Sequence, residues 1–75
     1  MIMPMDDVLK KFGYTQSEDP KIWIKGVWTV RFENKDYMEV YDTTINDEGW
    51  LYYYGSTSTL EKVLKEIDAF PEYNI

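Results

Sequence analysis

The fold is decided by residues 28–41, which read WTVRFENKDYMEVY. Apolar and polar residues alternate from Trp28 to Glu33 and again from Tyr37 to Tyr41. A period of two residues is typical of a strand that buries one face and leaves the other in water. The segment between the two alternations, Asn34-Lys35-Asp36, has the composition and length of a hairpin loop. This stretch therefore predicts two neighbouring antiparallel strands.

The first of these strands extends backward to Ile22, with an interruption at Gly26. The glycine marks either a β-bulge within one strand or the turn of a small hairpin. Because residues 22–24 are short for a separate strand, we expect the bulge and a continuous strand over residues 22–33. The second strand is expected over residues 37–44.

A third strand is predicted over residues 50–54, Trp-Leu-Tyr-Tyr-Tyr, after a turn at residues 46–49. Aromatic side chains are enriched in strands, and Gly55 closes the segment. The sequence leaves open which of these side chains face the core, because the segment is almost purely aromatic.

A helix is predicted before and after the strands. Residues 4–12 begin with a proline, which suits the first helical position, and Gly13 suits a C-terminal cap. Residues 58–69 open with a capping box formed by Ser58 and Glu61. The apolar side chains that recur at helical spacing in the two segments are Met5, Val8, Leu9, Phe12, Leu60, Val63, Leu64 and Ile67.

The order of elements is thus α-β-β-β-α. Short hairpin loops make consecutive strands neighbours, and the two apolar helix faces need a common partner, which a sheet face supplies. Residues 1–75 are therefore expected to form a single small α+β domain: a three-stranded antiparallel β-meander with two helices packed on one face.

The sheet face away from the helices is the candidate binding surface. Two helices cannot cover both sides of the sheet, so alternate strand residues remain exposed. If Leu51 and Tyr53 point inward, an aromatic patch forms around one arginine. The candidate partner-binding residues are Arg31, Tyr37, Tyr41, Trp50, Tyr52 and Tyr54.

Three interpretations of this patch remain open. The tyrosines are ordinary cross-strand pairs, since this residue suits strands. Alternatively they form a protein-binding surface, because Tyr, Trp and Arg dominate interface hot spots. In the third interpretation they stack on the bases of a single strand or on sugars.

Composition excludes several classes of function. The chain has neither His nor Cys, and its formal net charge is −6. The commonest general base, the best nucleophile and the soft metal ligands are therefore missing. The eight basic residues are scattered, which disfavours direct binding of nucleic acid.

No motif points to catalysis, a metal or a cofactor. The acidic segment of residues 42–48 lacks the spacing of a calcium-binding EF-hand loop. The four glycines are isolated, so no phosphate-cradling loop exists. The hydroxyl residues 56–59 lie where a helix needs a cap. We expect a protein that is not an enzyme, with no catalytic residues, no metal site and no cofactor.

The sequence also predicts a cytoplasmic protein. Residues 1–7 contain neither the basic region nor the apolar stretch of a signal peptide. Charged residues interrupt every apolar run, so no membrane association is expected.

These observations predict a small acidic interaction module that binds a protein partner through the aromatic sheet face or an edge strand. The uncharged strand at residues 50–54 also suits homodimer formation through a sheet edge. In its abundance of Lys, Ile, Tyr and Asp the chain resembles short accessory or regulatory proteins of phages and mobile elements from low-GC bacteria.

A second hypothesis rests on architecture and charge. The α-β-β-β-α order with a net charge of −6 is similar to that of small acidic inhibitors that imitate DNA, such as some anti-CRISPR and anti-restriction proteins. That resemblance implies a row of carboxylates spaced like phosphates. The candidates for it are Glu33, Asp36, Glu39, Asp42, Asp47 and Glu48. A third hypothesis is a binder of single-stranded nucleic acid or carbohydrate that uses the exposed rings.

Overall fold

The computed structural model of the chain describes residues 5–44 and 49–69. Five antiparallel strands form one sheet in the order β1-β2-β3-β4-β5, and a helix lies at each end of the described chain. The α+β class agrees with the sequence analysis, but the expected three-stranded meander is wrong. The elements are α1 (Met5–Lys11), β1 (Thr15–Gln16), β2 (Ile22–Lys25), β3 (Trp28–Phe32), β4 (Tyr37–Asp42), β5 (Trp50–Ser56), a 3-10 turn (Thr57–Thr59) and α2 (Leu60–Asp68).

The expected continuous strand over residues 22–33 is in fact a hairpin. Gly26 has a φ of +59°, a left-handed conformation that glycine adopts without strain. The chain reverses there, so Lys25 pairs with Trp28 and Trp23 pairs with Val30. The β-bulge interpretation of Gly26 is therefore wrong. Ile22–Lys25 is a separate strand despite its length, because β3 and β1 pair with its two edges.

The strand at the other edge, β1, comes from a polar segment between α1 and β2 in which the sequence shows no strand pattern. Thr15 and Gln16 form β1, opposite Ile24 and Trp23. Two residues are too short to show a period, so no alternation reveals this strand. Local bonds hold the following turn, where the Gln16 side-chain amide donates to the Pro20 carbonyl at 3.0 Å.

The ends of the remaining elements differ from the sequence pattern by a few residues. β4 ends at Asp42 rather than at residue 44, and β5 continues through Gly55 to Ser56. Ser56 caps the 3-10 turn by accepting a hydrogen bond from the Ser58 backbone N–H. Helix α2 begins only after this turn, and its N-cap residue, Thr59, makes no side-chain capping bond. The expected capping box of Ser58 and Glu61 is therefore wrong. Residue 4 and the expected turn at residues 46–48 lie outside the described residues.

One hydrophobic core lies between the two helices and one face of the sheet. Helix α2 contributes four buried side chains, and each stabilises the fold by about 1.5–3 kcal/mol relative to an exposed position. The buried residues of the core are Val8, Leu9, Tyr14, Trp23, Trp28, Val30, Phe32, Met38, Val40, Leu60, Val63, Leu64 and Ile67. The opposite face of the sheet receives neither helix.

Candidate interaction surface

The helix-free side of the sheet, which we call the open face, is built by the strand residues that alternate with the core positions. β2 contributes Ile22 and Ile24 to it, because these residues lie opposite Arg31 and Thr29 of β3. Ile24 keeps 43% of its surface exposed. The other members are Tyr37, Glu39 and Tyr41 of β4 and Leu51 and Tyr54 of β5. Four of the six predicted partner-binding residues therefore meet on this face: Arg31, Tyr37, Tyr41 and Tyr54.

The centre of the open face is an ion pair braced by a tyrosine. Arg31 and Glu39 lie opposite each other in the β3–β4 ladder, and the guanidinium donates to Glu39 Oε1. Tyr41 donates its hydroxyl proton to Glu39 Oε2 at 2.5 Å. This hydrogen bond is the main cause of a raised pKa of Tyr41, because ionisation would remove the donor. Both oxygens of the Glu39 carboxylate are thus occupied.

A second tyrosine–carboxylate pair lies beside the first. Tyr54 donates its hydroxyl proton to Glu33 Oε2 at 2.7 Å, which raises the pKa of Tyr54. The ring of Tyr54 is parallel to the ring of Tyr37, with 6.1 Å between centroids. The two rings remain about half exposed, at 51% and 47%. They form a fixed aromatic surface at the β5 side of the open face.

A bulge in β5 separates the remaining predicted residues from this surface. The β4–β5 register shifts between Val40 and Tyr41, so Tyr53 lies opposite Val40 and Leu51 lies opposite Tyr41. Tyr52 therefore turns to the helix side, where its ring contacts Trp28 edge-on at 5.2 Å. There burial, followed by the charge of Glu66, raises the pKa of Tyr52.

The same register places Trp50 on the helix side, opposite Asp42, although 59% of its surface is exposed. The orientation of Leu51 was left open by the sequence, and the residue is 53% exposed on the open face. Ile24 was missed by sequence reasoning. Gly26 is the sequence signal that could have revealed it. Interpreted as the turn of a hairpin, this glycine makes residues 22–25 a separate strand and places Ile24 opposite Thr29. No sequence feature marks the β5 bulge.

The acidic residues proposed for a DNA-like row do not share one face. Glu39 lies on the open side, and Glu33, just after β3, reaches the same side through its bond to Tyr54. Asp42, two residues after the buried Val40, lies on the helix side of β4. Asp42 accepts hydrogen bonds from the backbone N–H and the hydroxyl of Thr44. Asp36 belongs to the β3–β4 loop. Residues 47 and 48 lie outside the described residues.

Three other features bear on function in the described part of the chain. Within residues 5–44 and 49–69 no three His, Cys, Asp or Glu side chains are grouped as a metal site would require. Neither described helix is long and apolar enough to cross a bilayer. A shallow depression runs along the outer side of α2, but two of its lining residues, Glu61 and Lys65, already neutralise each other.

Comparison of the chain with protein-family models, curated proteins and solved structures finds no match. The open face and its chemistry are therefore the basis for a functional conclusion.

Proposed function

We propose that this protein is a non-enzymatic interaction module that binds a protein partner through the open face of its sheet. The single observation that carries the proposal is the exposed Tyr37–Tyr54 ring pair. A ring that is already held in place loses little conformational freedom on binding, and so more of its contact energy appears as affinity. Tyrosine also offers a large apolar surface with a polar tip, which is why it is enriched at interfaces.

The chemistry around the rings supports a protein partner over a nucleic acid. Two of the three tyrosine hydroxyls on the open face, those of Tyr41 and Tyr54, are bonded to carboxylates. A stacked base would bring its phosphate close to Glu33 and Glu39, and like charges repel. The DNA-mimic alternative gains no support from geometry, because its described carboxylates are divided between the two sides of the sheet and a loop.

Capture of the partner from the source cells tests the proposal. The baits are the wild type, a Tyr37→Ala/Tyr54→Ala variant and a Glu61→Ala/Lys65→Ala control. The control removes an exposed ion pair from α2 and leaves the net charge unchanged. Because truncation of one hot-spot residue costs about 2 kcal/mol or more, the tyrosine variant is expected to lose the partner by well over tenfold.

Retention by the control and loss by the tyrosine variant, with both variants folded by circular dichroism, supports the open face as the binding surface. Equal capture by all three baits contradicts the proposal. The salt dependence separates the alternatives further. An aromatic interface with few ionic contacts loses only a little affinity as salt rises, whereas a DNA mimic loses affinity steeply.

A further inference from the structure

The free edge of β5 has unused backbone groups. Thr57 donates its backbone N–H to the Asp36 carbonyl, and Ser56 lies opposite Tyr37. Residues of an antiparallel pair alternate between facing their partner strand and facing away from it. Gly55 and Tyr53 therefore face β4, whereas Tyr54 and Ser56 direct their backbone groups to the free edge.

Three backbone groups on this edge remain available for hydrogen bonds to another strand. Thr59 donates its hydroxyl proton to the Ser56 carbonyl at 2.7 Å, which leaves the Ser56 N–H. Within the described residues, the N–H and C=O of Tyr54 and the N–H of Ser56 have no partner across the edge. All seven residues of β5 are uncharged. Natural sheets usually protect such an edge with charge, proline, shortness or a bulge. β5 has neither charge nor proline, and its bulge, between Leu51 and Tyr53, lies before the exposed groups of Tyr54 and Ser56.

The open face beside this edge contains one complete and one incomplete charge cluster. In the complete cluster, Glu39 accepts from Tyr41 and from Arg31. In the incomplete cluster, Glu33 accepts from Tyr54 with one oxygen, and no cation pairs with it among the described residues. The two tyrosine–carboxylate pairs thus differ by one positive side chain.

We propose that the partner of this module is an extended basic segment that adds a strand to β5 and places an Arg or Lys side chain over the Tyr54 ring beside Glu33. This inference rests on the proposed function and names the chemistry of its partner. Backbone hydrogen bonds to Tyr54 and Ser56 supply the docking, as in other cases of strand addition. The positive side chain completes the second cluster through cation–π and ionic attraction.

The alternation of a strand extends this chemistry to the next residues of the segment. Partner side chains on the open side lie beside Tyr54, and their neighbours in sequence lie on the helix side, near Tyr53 and Tyr52. That side offers exposed aromatic surface. The segment therefore alternates basic and apolar residues. A second copy of this chain fits the edge less well, because its own β5 brings no positive side chain to Glu33 and both copies carry a net charge of −6.

The test uses synthetic peptides of alternating Arg and Val, with a Glu-and-Val peptide as the charge control, titrated into the full chain. Ser56→Pro is the decisive variant. Ser56 has a φ of −68°, which proline adopts without strain, and its N–H is not bonded to β4. The matched control is Ser56→Ala, which loses the same capping hydroxyl but keeps the N–H.

We expect the Arg peptide to bind the wild type and Ser56→Ala alike, and to bind Ser56→Pro about tenfold more weakly, since a lost bond leaves a partner group unsatisfied. Glu33→Gln keeps the acceptor for Tyr54 but removes the charge, and should weaken binding about threefold, as for an exposed ion pair. Glu61→Gln, which makes the same change in net charge on α2, should leave the affinity unchanged.

Equal affinity of Ser56→Pro and Ser56→Ala, or equal affinity for the Arg and Glu peptides, overturns the inference. Self-association of the wild type that Ser56→Pro abolishes also overturns it and assigns the edge to a second copy. The proposed function survives either failure if the natural partner is still lost on Tyr37→Ala/Tyr54→Ala. The proposed function alone fails if the Arg peptide binds the edge but the Tyr37→Ala/Tyr54→Ala bait still captures the natural partner.

Discussion

The two edges of the sheet are built in opposite ways. β1 has two residues, and the turn after it is closed by local bonds, including Lys21 N–H to Asp19 Oδ1 at 2.9 Å. β5 has seven uncharged residues and ends in an uncharged turn at Thr57–Thr59. The first edge is too short to pair with another strand, whereas the second presents a template for one.

This difference leaves one edge of the sheet closed to strand pairing and the other open to it. A long uncharged edge exposes a protein to aggregation unless a partner strand covers it. The same strand lies beside the Tyr37–Tyr54 ring pair and the incomplete cluster at Glu33. Backbone, aromatic and charge features therefore coincide at one side of the molecule.

The largest expected effect is the difference in stability between two tryptophan substitutions, one near each edge of the sheet. Trp23, behind β1, is 2% exposed, whereas Trp50, at the start of β5, is 59% exposed. Trp23→Ala should cost about 3–5 kcal/mol, which is the whole stability of a small domain. Trp50→Ala should change the free energy of unfolding by less than about 0.5 kcal/mol. Urea unfolding followed by circular dichroism measures both, and similar losses would contradict the contrast between the edges.

A smaller effect tests how the inner side of β5 is fixed. A Cβ on Gly55 would lie 2.5 Å from the phenol oxygen of Tyr53, which is itself bonded to the Thr59 hydroxyl at 2.7 Å. Gly55→Ala should therefore destabilise the fold by about 1–3 kcal/mol through overpacking. In a Tyr53→Ala background the cost should largely disappear, and a double-mutant cycle in urea reports the coupling. Additive losses would show that the ring does not hold the strand.

The next effect compares a tyrosine near each edge. The Tyr14 hydroxyl, just before β1, is buried with no hydrogen-bond partner among the described residues. Tyr14→Phe should therefore stabilise the fold by about 1 kcal/mol at neutral pH. Tyr54→Phe removes a hydroxyl whose bond to Glu33 is exposed to water, and so it should leave the unfolding midpoint nearly unchanged. A loss of stability in Tyr14→Phe would reveal a partner for the buried hydroxyl.

The pH dependence of the same variants gives an independent measurement. Burial, followed by the charge of Asp68, raises the pKa of Tyr14 well above its ordinary value near 10. The unfolded chain then releases this proton at a lower pH than the folded chain, so stability is fully present below about pH 10 and falls as pH rises further. Thermal unfolding between neutral and alkaline pH should show a smaller loss for Tyr14→Phe than for the wild type. Identical profiles would remove Tyr14 as the cause.

The sequence predicts the regular parts of this fold because their periods are long enough to read. The hairpin of β3 and β4 shows its alternation directly, and so does the apolar stripe of α2. β1 escapes this reasoning because two residues have no period. The turn at Gly26 was misassigned because a bulge and a tight turn place the same demand on glycine, and only the pairing partners distinguish them.

The candidate site was predictable only as far as strand parity held. Arg31, Tyr37 and Tyr41 belong to strands of unbroken alternation, and the structure brings them together. In β5 the strict alternation of sides is broken after Leu51. The bulge places both Tyr52 and Tyr53 on the helix side, and Tyr54 returns to the open face. Neighbouring tyrosines are chemically identical, so the sequence does not indicate which of them is the extra residue.

The account depends most directly on the open edge of β5, and residue-resolved amide hydrogen exchange of the free protein tests it. Tyr53 and Gly55 face β4 and should exchange slowly, whereas Tyr54 and Ser56 should exchange nearly as fast as unstructured amides at every protein concentration. That alternation along one strand would show an edge available for pairing. Slow exchange at all four positions would contradict the account, because it would mean that the edge is already covered.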